Sequence, residues 1–403
     1  MQSFDELDDD ALVDRVRADV VAQRVHFNHA GMSLIPTPAL DRMRRHLDRE
    51  AEIGGYEAAA EAAGELAGLP ATLAPLLGPS VAADEVAVTQ SATRAWETVL
   101  WALAESRGWG PSDRVLIDGF TYATTYTTLQ RLQVGRNVAI EVVSSRPDGT
   151  VDLDDLAARL GDDVQLVAVT HMPTHLGTRT DASAIGALMA DHPAVFALDV
   201  SQTLGQMPLD VGAYGCEVAY APGRKFLRGP RGTGLLYVEA DFADQLLPLS
   251  PPFGTVGPEA PTTFELPSGA RRFDAFEVDH AAHLALAEAA RYAIAVGLER
   301  IERLVAARSA DVADRLAATG GIELLAESEA VGIVSFRHDR LTPEEVRDRF
   351  TAGGVNVWVN PAGGAPIDGH NRPVLPAVRV SPHYFTDAAD LDALERVLAD
   401  LAG

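Results

Sequence analysis

The chain has 403 residues, 47% hydrophobic and 23% charged, which suits a soluble globular protein with a large core. A formal net charge of −25 argues against a nucleic-acid or anionic-membrane surface, which needs clustered positive charge. Cys216 is the only cysteine, which excludes an intramolecular disulfide and a thiolate zinc cluster.

The length exceeds one compact unit. We expect an N-terminal segment at 1–20, a large domain at 21–280 and a small C-terminal domain at 281–403. The first dozen residues are acidic and read as disordered. They lack the positively charged and apolar pattern of a signal peptide, and no apolar run approaches the ~20 residues of a membrane span, so a cytoplasmic protein is expected.

A strand at 24–28 leads to a turn at Ala30-Gly31, followed by a helix at 37–53 and an alanine-rich helical region at 58–77. From residue 84 strands and helices alternate. Strands are expected at 85–89, 114–118, 138–143, 164–170 and 194–200, with helices at 93–106, 124–132, 153–160 and 182–191 between them or after them. Continuous β-branched strands between amphipathic helices indicate an α/β fold, a mostly parallel sheet covered on both faces. A further short strand, a glycine-rich loop and a strand at 234–238 follow, then a Pro/Gly-rich connection at 248–267. A long helix at 280–308, with a break near Gly297, leads into a smaller α+β unit. Its strands are expected at 332–337, 355–359 and 377–381, its helices at 343–351 and 388–401, and a Pro/Gly stretch at 361–373.

Among 33 basic residues there is one lysine, Lys225, within Gly223-Arg224-Lys225-Phe226. Arginine replaces lysine in solvated ion pairs but not where an amine must lose its proton and attack a carbonyl. In open α/β sheets ligands bind beyond the carboxyl ends of the strands. Those ends carry Ser91, Ala92 and Thr93 at a helix start, then Tyr122, His171 and Thr174, Asp199 and Gln202, and finally Lys225. Taken singly, Ser91 and Thr93 read as helix caps, Tyr122 as core and Asp199 as a capping or ion-pair residue. Taken together they form a phosphate cradle, a flat aromatic, a carboxylate and an amine. That set points to pyridoxal 5′-phosphate.

Asp199-Val200-Ser201-Gln202, then Arg224-Lys225, then Gly229-Pro230-Arg231-Gly232-Thr233-Gly234 resembles the class V aminotransferase and cysteine desulfurase family of fold type I pyridoxal-phosphate enzymes. Asn28-His29-Ala30-Gly31, Ser91-Ala92-Thr93 and Arg379-Val380-Ser381 support it, and the similarity runs over roughly 24–402. The resemblance implies a large domain with a mostly parallel central sheet and a smaller α+β domain. It makes Lys225 the Schiff-base lysine and Asp199 the partner of the pyridine nitrogen. Gln202 and Thr174 would serve the phenolic oxygen, Tyr122 would stack on the ring, and Ser91, Ala92 and Thr93 would bind phosphate. Arg379 would grip the substrate carboxylate, with Asn28, Ala30, Gly31 and His171 also on the substrate side. A homodimer with active sites at the subunit interface is implied as well.

Two departures stand out. Arg224 replaces the usual histidine and is a candidate for the phosphate, and the spacing after Lys225 resembles the isopenicillin N epimerase-like branch. The 361–373 loop also lacks the cysteine that desulfurases load with sulfur, which argues against persulfide formation. Cys216 reads as a buried hydrophobe. His26/His29, His171/His175 and His280/His283 have no third ligand at helical spacing, so no metal is expected. The sequence supports a β-eliminating carbon–sulfur lyase, with transamination, epimerisation and a non-catalytic protein on the same fold as alternatives.

Overall fold

The computed structural model describes residues 4–146, 148–252, 255, 265–326, 330–361 and 375–402. The 248–267 connection is therefore described only in part, and the 361–373 stretch lies outside the described residues apart from Pro361.

Seven strands form the central sheet: β1 Val86–Thr89, β2 Arg114–Asp118, β3 Ala139–Val143, β4 Val164–Thr170, β5 Val195–Asp199, β6 Val218–Pro222 and β7 Gly234–Val238. Their spatial order is β1-β7-β6-β5-β4-β2-β3, and β7 alone runs antiparallel to its neighbours. Every residue of β5, β6 and β7 is buried, as the continuous apolar pattern requires of strands covered on both faces. The side-chain period of two divides each strand between two cores. Phe196 and Leu198 of β5 enter the core shared with Leu286 and Tyr292, while Val195 and Ala197 join that of Trp96 and Leu129.

Helix Ala92–Ser106 follows β1 and packs Trp96, Val99, Leu100 and Leu103 under the sheet. Ser91 caps it by accepting from Arg94 N at 3.1 Å. The chain leaves the sheet through helices His280–Val296 and Leu298–Ala317, which are bent by 81° at Gly297. Gly297 has φ 91°, so a residue without Cβ takes the corner that the sequence pattern anticipates.

A second, antiparallel sheet contains β8 Ile322–Leu324, β9 Val334–His338, β10 Trp358–Asn360 and β11 Ala377–Val380, in the order β10-β11-β9-β8. Its core gathers Val312, Phe336, Phe350, Val378 and Leu394, together with Phe27 from the start of the chain. Strand Val25–His26 pairs with Val355–Asn356, and Asn28 bridges to Ser381. The early turn is thereby fastened to the late sheet, although hundreds of residues separate them in sequence. The passage between the two parts runs through the two long helices, because His280–Val296 packs into the first core.

Two expectations are corrected. The acidic start is not wholly disordered: Asp9–Ala18 is a helix capped by Asp8, burying Leu12 and Val16. Asp9 is gripped by Arg300 and Arg303, a long-range contact no local pattern reveals. The 58–77 region is helical as expected, in short helices separated in part by Gly68 and Pro70. The 355–359 strand is two pieces that serve different sheets. Among the described residues, no single helix is long and apolar enough to cross a membrane.

Candidate active site

The carboxyl ends of β1, β2, β4, β5 and β6 surround a cavity of about 320 Å³, in the range of ~300–1,000 Å³ usual for small-molecule sites. Ser91, Ala92, Thr93, Tyr122, Thr174, Asp199, Gln202, Arg224 and Lys225 all line it. A second lobe of about 290 Å³ shares Tyr122, Thr174, Arg224 and Lys225, and adds Asn28, Ala30, Gly31 and Arg379. Arg379 sits on β11, so the second lobe lies between the two sheets.

Lys225 follows β6 in a loop closed on itself. Gly223 N donates to Thr233 O at 2.9 Å and Gly229 N to Gly223 O at 2.7 Å. Burial holds the lysine amine at about 7, well below its ordinary range, despite the opposing attraction of Asp199. Its Nζ stands 5.7 Å from the Tyr122 ring centroid. Burial raises the Asp199 carboxyl, and Lys225 and the Ser201 N–H, which donates at 2.8 Å, pull it back.

At the start of helix Ala92–Ser106 the unpaired N–H groups and the helix dipole suit a phosphate. Gly234 of β7 lets that turn approach: a Cβ there would come 2.7 Å from the Ser91 carbonyl carbon. Thr93 Oγ1 lies 3.0 Å from Thr124 Oγ1, which orients it at the cavity wall.

Arg379 is buried and donates to Thr174 Oγ1 at 2.5 Å and to Asn28 Oδ1 at 3.1 Å. Gln202 Nε2 donates to the same Thr174 oxygen at 3.0 Å and to Ala30 O at 3.2 Å. Thr174 Oγ1 thus accepts twice, leaving its hydroxyl proton to a further acceptor. Gln202 Oε1 and Arg379 Nε are buried without partners, the mark of groups waiting for a ligand. Burial brings the Arg379 guanidinium down to about 10, still charged at neutral pH. A side chain on Gly31 would displace Asn28 Oδ1, a partner of Arg379.

His171 is the exception. It lines neither lobe; its Nδ1 lies 3.0 Å from Thr203 Oγ1 and its ring packs on Tyr214. Thr170 and Met172 face the cavity instead, because neighbouring side chains of extended backbone alternate in direction. Sequence reasoning also missed Arg231, which lines both lobes from inside the glycine motif, and Trp358 and Asn360, which reach the second lobe from β10. Arg231 was within reach of that motif; the β10 pair was not, since only the fold brings it there.

Cys216 lines neither lobe. It precedes β6, at the opposite end from Lys225, and its buried thiol donates to Val211 O at 3.3 Å. Burial pushes the thiol far above its ordinary pKa. The lysine amine, the buried carboxylate, the helix-start cradle closed by Gly234 and the unpartnered Gln202 oxygen together fit pyridoxal 5′-phosphate.

Known proteins agree. The "Probable cysteine desulfurase" of Methanothermobacter thermautotrophicus is 26% identical over 96% of this chain and 98% of its own. The "Probable hercynylcysteine sulfoxide lyase" of Mycobacterium tuberculosis is 28% identical over 96% of this chain and 93% of its own. Among solved structures, the apo cysteine desulfurase of Thermococcus onnurineus NA1 superposes with a TM-score of 0.86 at 21% identity, covering 100% of this chain and 98% of that one. The cystine C-S lyase C-DES, in complex with its reaction product cysteine persulfide, gives 0.82 at 21%, covering 95% and 98%. The family model of class V aminotransferases matches residues 25–394, and this chain is a pyridoxal-phosphate enzyme of that family.

Proposed function

We propose that the protein is a carbon–sulfur lyase that expels the β-substituent of an S-substituted cysteine or its sulfoxide and yields pyruvate and ammonia. The observation that carries this reading is the separation of groups. Amine, carboxylate and guanidinium share one two-lobed cavity, while the chain's single thiol is buried at the far end of β6. The similarity to a protein named as a sulfoxide lyase supports the same reading.

When bound, pyridoxal phosphate supplies an electron sink for the charge that develops at the substrate α-carbon. Asp199, on β5, holds a negative charge where the cofactor's ring nitrogen is expected. Ser91, Ala92 and Thr93 would hold the phosphate, with Arg224 beside them, and Tyr122 would cover a ring face. Gln202 and Thr174 would offer their spare hydrogen-bonding groups to the phenolic oxygen. Arg379 binds the α-carboxylate through its guanidinium fork. Lys225 Nζ, whose burial favours the neutral amine, accepts the α-proton. The Cβ–S bond then breaks with its electron pair leaving on the sulfur group, and the resulting thiolate or sulfenate takes up a proton to give a thiol or a sulfenic acid. The unsaturated amine left behind takes up water to give pyruvate and ammonia. We further propose a homodimer whose partner completes the site, as the family resemblance implies.

The test offers S-alkyl cysteine sulfoxides, cysteine conjugates, amino acids with keto-acid acceptors, and single enantiomers. Equal release of pyruvate and ammonia is the expected outcome. Stoichiometric amino transfer without pyruvate would make the protein an aminotransferase, and inversion at the α-carbon an epimerase.

A further inference from the structure

Helices Thr37–Ile53 and His280–Val296 meet through small side chains, Ala39 against Ala285 and Ala289, which lets their backbones come close. At one end of this contact stand His46 and Glu50, one helical turn apart and so on one face, and His280, the first residue of the opposing helix. Their ligand atoms all lie within 4.8 Å of one another. His46 Nε2 is 3.3 Å from Glu50 Oε1, yet that nitrogen is buried and makes no hydrogen bond. The two atoms, an ion pair by distance when the ring is protonated, are also spaced as two ligands of one ion are. Tetrahedral zinc, with bonds of ~2.0–2.1 Å, sets its ligand atoms about 3.3–3.4 Å apart.

We propose that His46, Glu50 and His280 form a divalent transition-metal site, best matched by zinc, that ties these two helices together. Two imidazoles and one carboxylate are a ligand set zinc favours, and no thiolate is required. The surrounding charges leave the site available. The nearby Arg42 guanidinium is held by Glu65 at 2.9 Å, and Asp279 caps its own helix by accepting from Ala282 N at 2.8 Å. His280 also lines a cavity of about 390 Å³.

The role that follows is structural. The same helix carries Leu286, whose Cδ1 packs under the Lys225 loop; Cβ atoms on Gly223 and Gly229 would come within 2.6 and 2.8 Å of it. An ion that holds the start of this helix stiffens the floor of that loop without touching the reaction.

The experiment titrates chelator-treated holoenzyme with zinc chloride by calorimetry and follows thermal unfolding. One ion per chain and a raised Tm are expected. His280→Ala and Glu50→Gln, on different helices, should each weaken binding beyond the ~10–100-fold that outer-shell changes cost. Their circular dichroism and pyridoxal-phosphate content should match the wild type. Zinc-edge X-ray absorption should show nitrogen and oxygen at ~2.0–2.1 Å and no sulfur. Absence of stoichiometric binding, binding that survives both substitutions, or sulfur in the shell would overturn the proposal.

Discussion

The two ends of β6 hold the chain's only cysteine and its only lysine, and they have opposite fates. Cys216 stands before the strand with its thiol among apolar side chains, and burial pushes its pKa up so that the nucleophilic thiolate is suppressed. Lys225 stands after it, and burial pushes its pKa down, which favours the nucleophilic amine. The same desolvation acts at both ends; it silences an acid whose reactive form is charged and arms a base whose reactive form is neutral. Five residues of strand, at roughly 3.3 Å each, keep the two apart. Ligands bind beyond the carboxyl ends of parallel strands, where the cavity opens, while the Cys216 thiol at the amino end is buried.

That contrast can be broken experimentally, most severely at the lysine. Lys225→Ala should cut turnover by at least ~10²–10⁴-fold, abolish the visible absorbance of the bound cofactor, and leave the fold intact by circular dichroism. Wild-type turnover in this variant would remove the amine from the mechanism. Asp199→Asn should follow, with a loss on the order of 10²–10³-fold that falls on kcat, because the charge at the ring nitrogen matters most in the transition state. Arg379→Lys loses the fork while keeping the charge, so KM for the amino acid should rise roughly tenfold or more with a smaller change in kcat.

A subtler test uses pH. In the cofactor-free folded chain the Lys225 amine titrates at about 7 instead of its ordinary 10.5. Between those values the unfolded chain binds more protons, so this group's contribution to stability rises with pH across that window. Subtracting the urea-unfolding free energy of Lys225→Met from that of wild type should reveal that rise, flat below about 7; a difference independent of pH would refute the depressed amine. The smallest effect belongs to the other end of the strand. Cys216→Ala should cost about 1 kcal/mol of stability and leave kcat/KM unchanged. A large loss of activity there would show that the thiol takes part in sulfur transfer.

Much of the architecture is legible because its signals are local. Strands 114–118, 164–170 and 234–238 and the helix at 37–53 take their expected bounds, since uninterrupted apolar runs and Pro/Gly punctuation act within a few residues. The cavity-lining residues are legible because they recur at strand ends in motif order. The misreadings share a cause. His171 was placed by its neighbours in sequence, but strand alternation turns it away from the cavity. Helix Asp9–Ala18 looked like an acidic tail because Arg300 and Arg303, which hold it, come almost three hundred residues later.

The sequence by itself determined the chemistry available: one amine, one thiol, a carboxylate at the end of a strand, and a parallel sheet to present them. Composition and motif spacing carry that information because each depends on residue identity or on neighbours in the chain. Only the tertiary structure decided which groups meet. It brought Arg379 from the second sheet to Thr174 and Asn28, and drew His280 to His46 and Glu50. Those pairings rest on burial and on contacts across hundreds of residues, which no local pattern encodes.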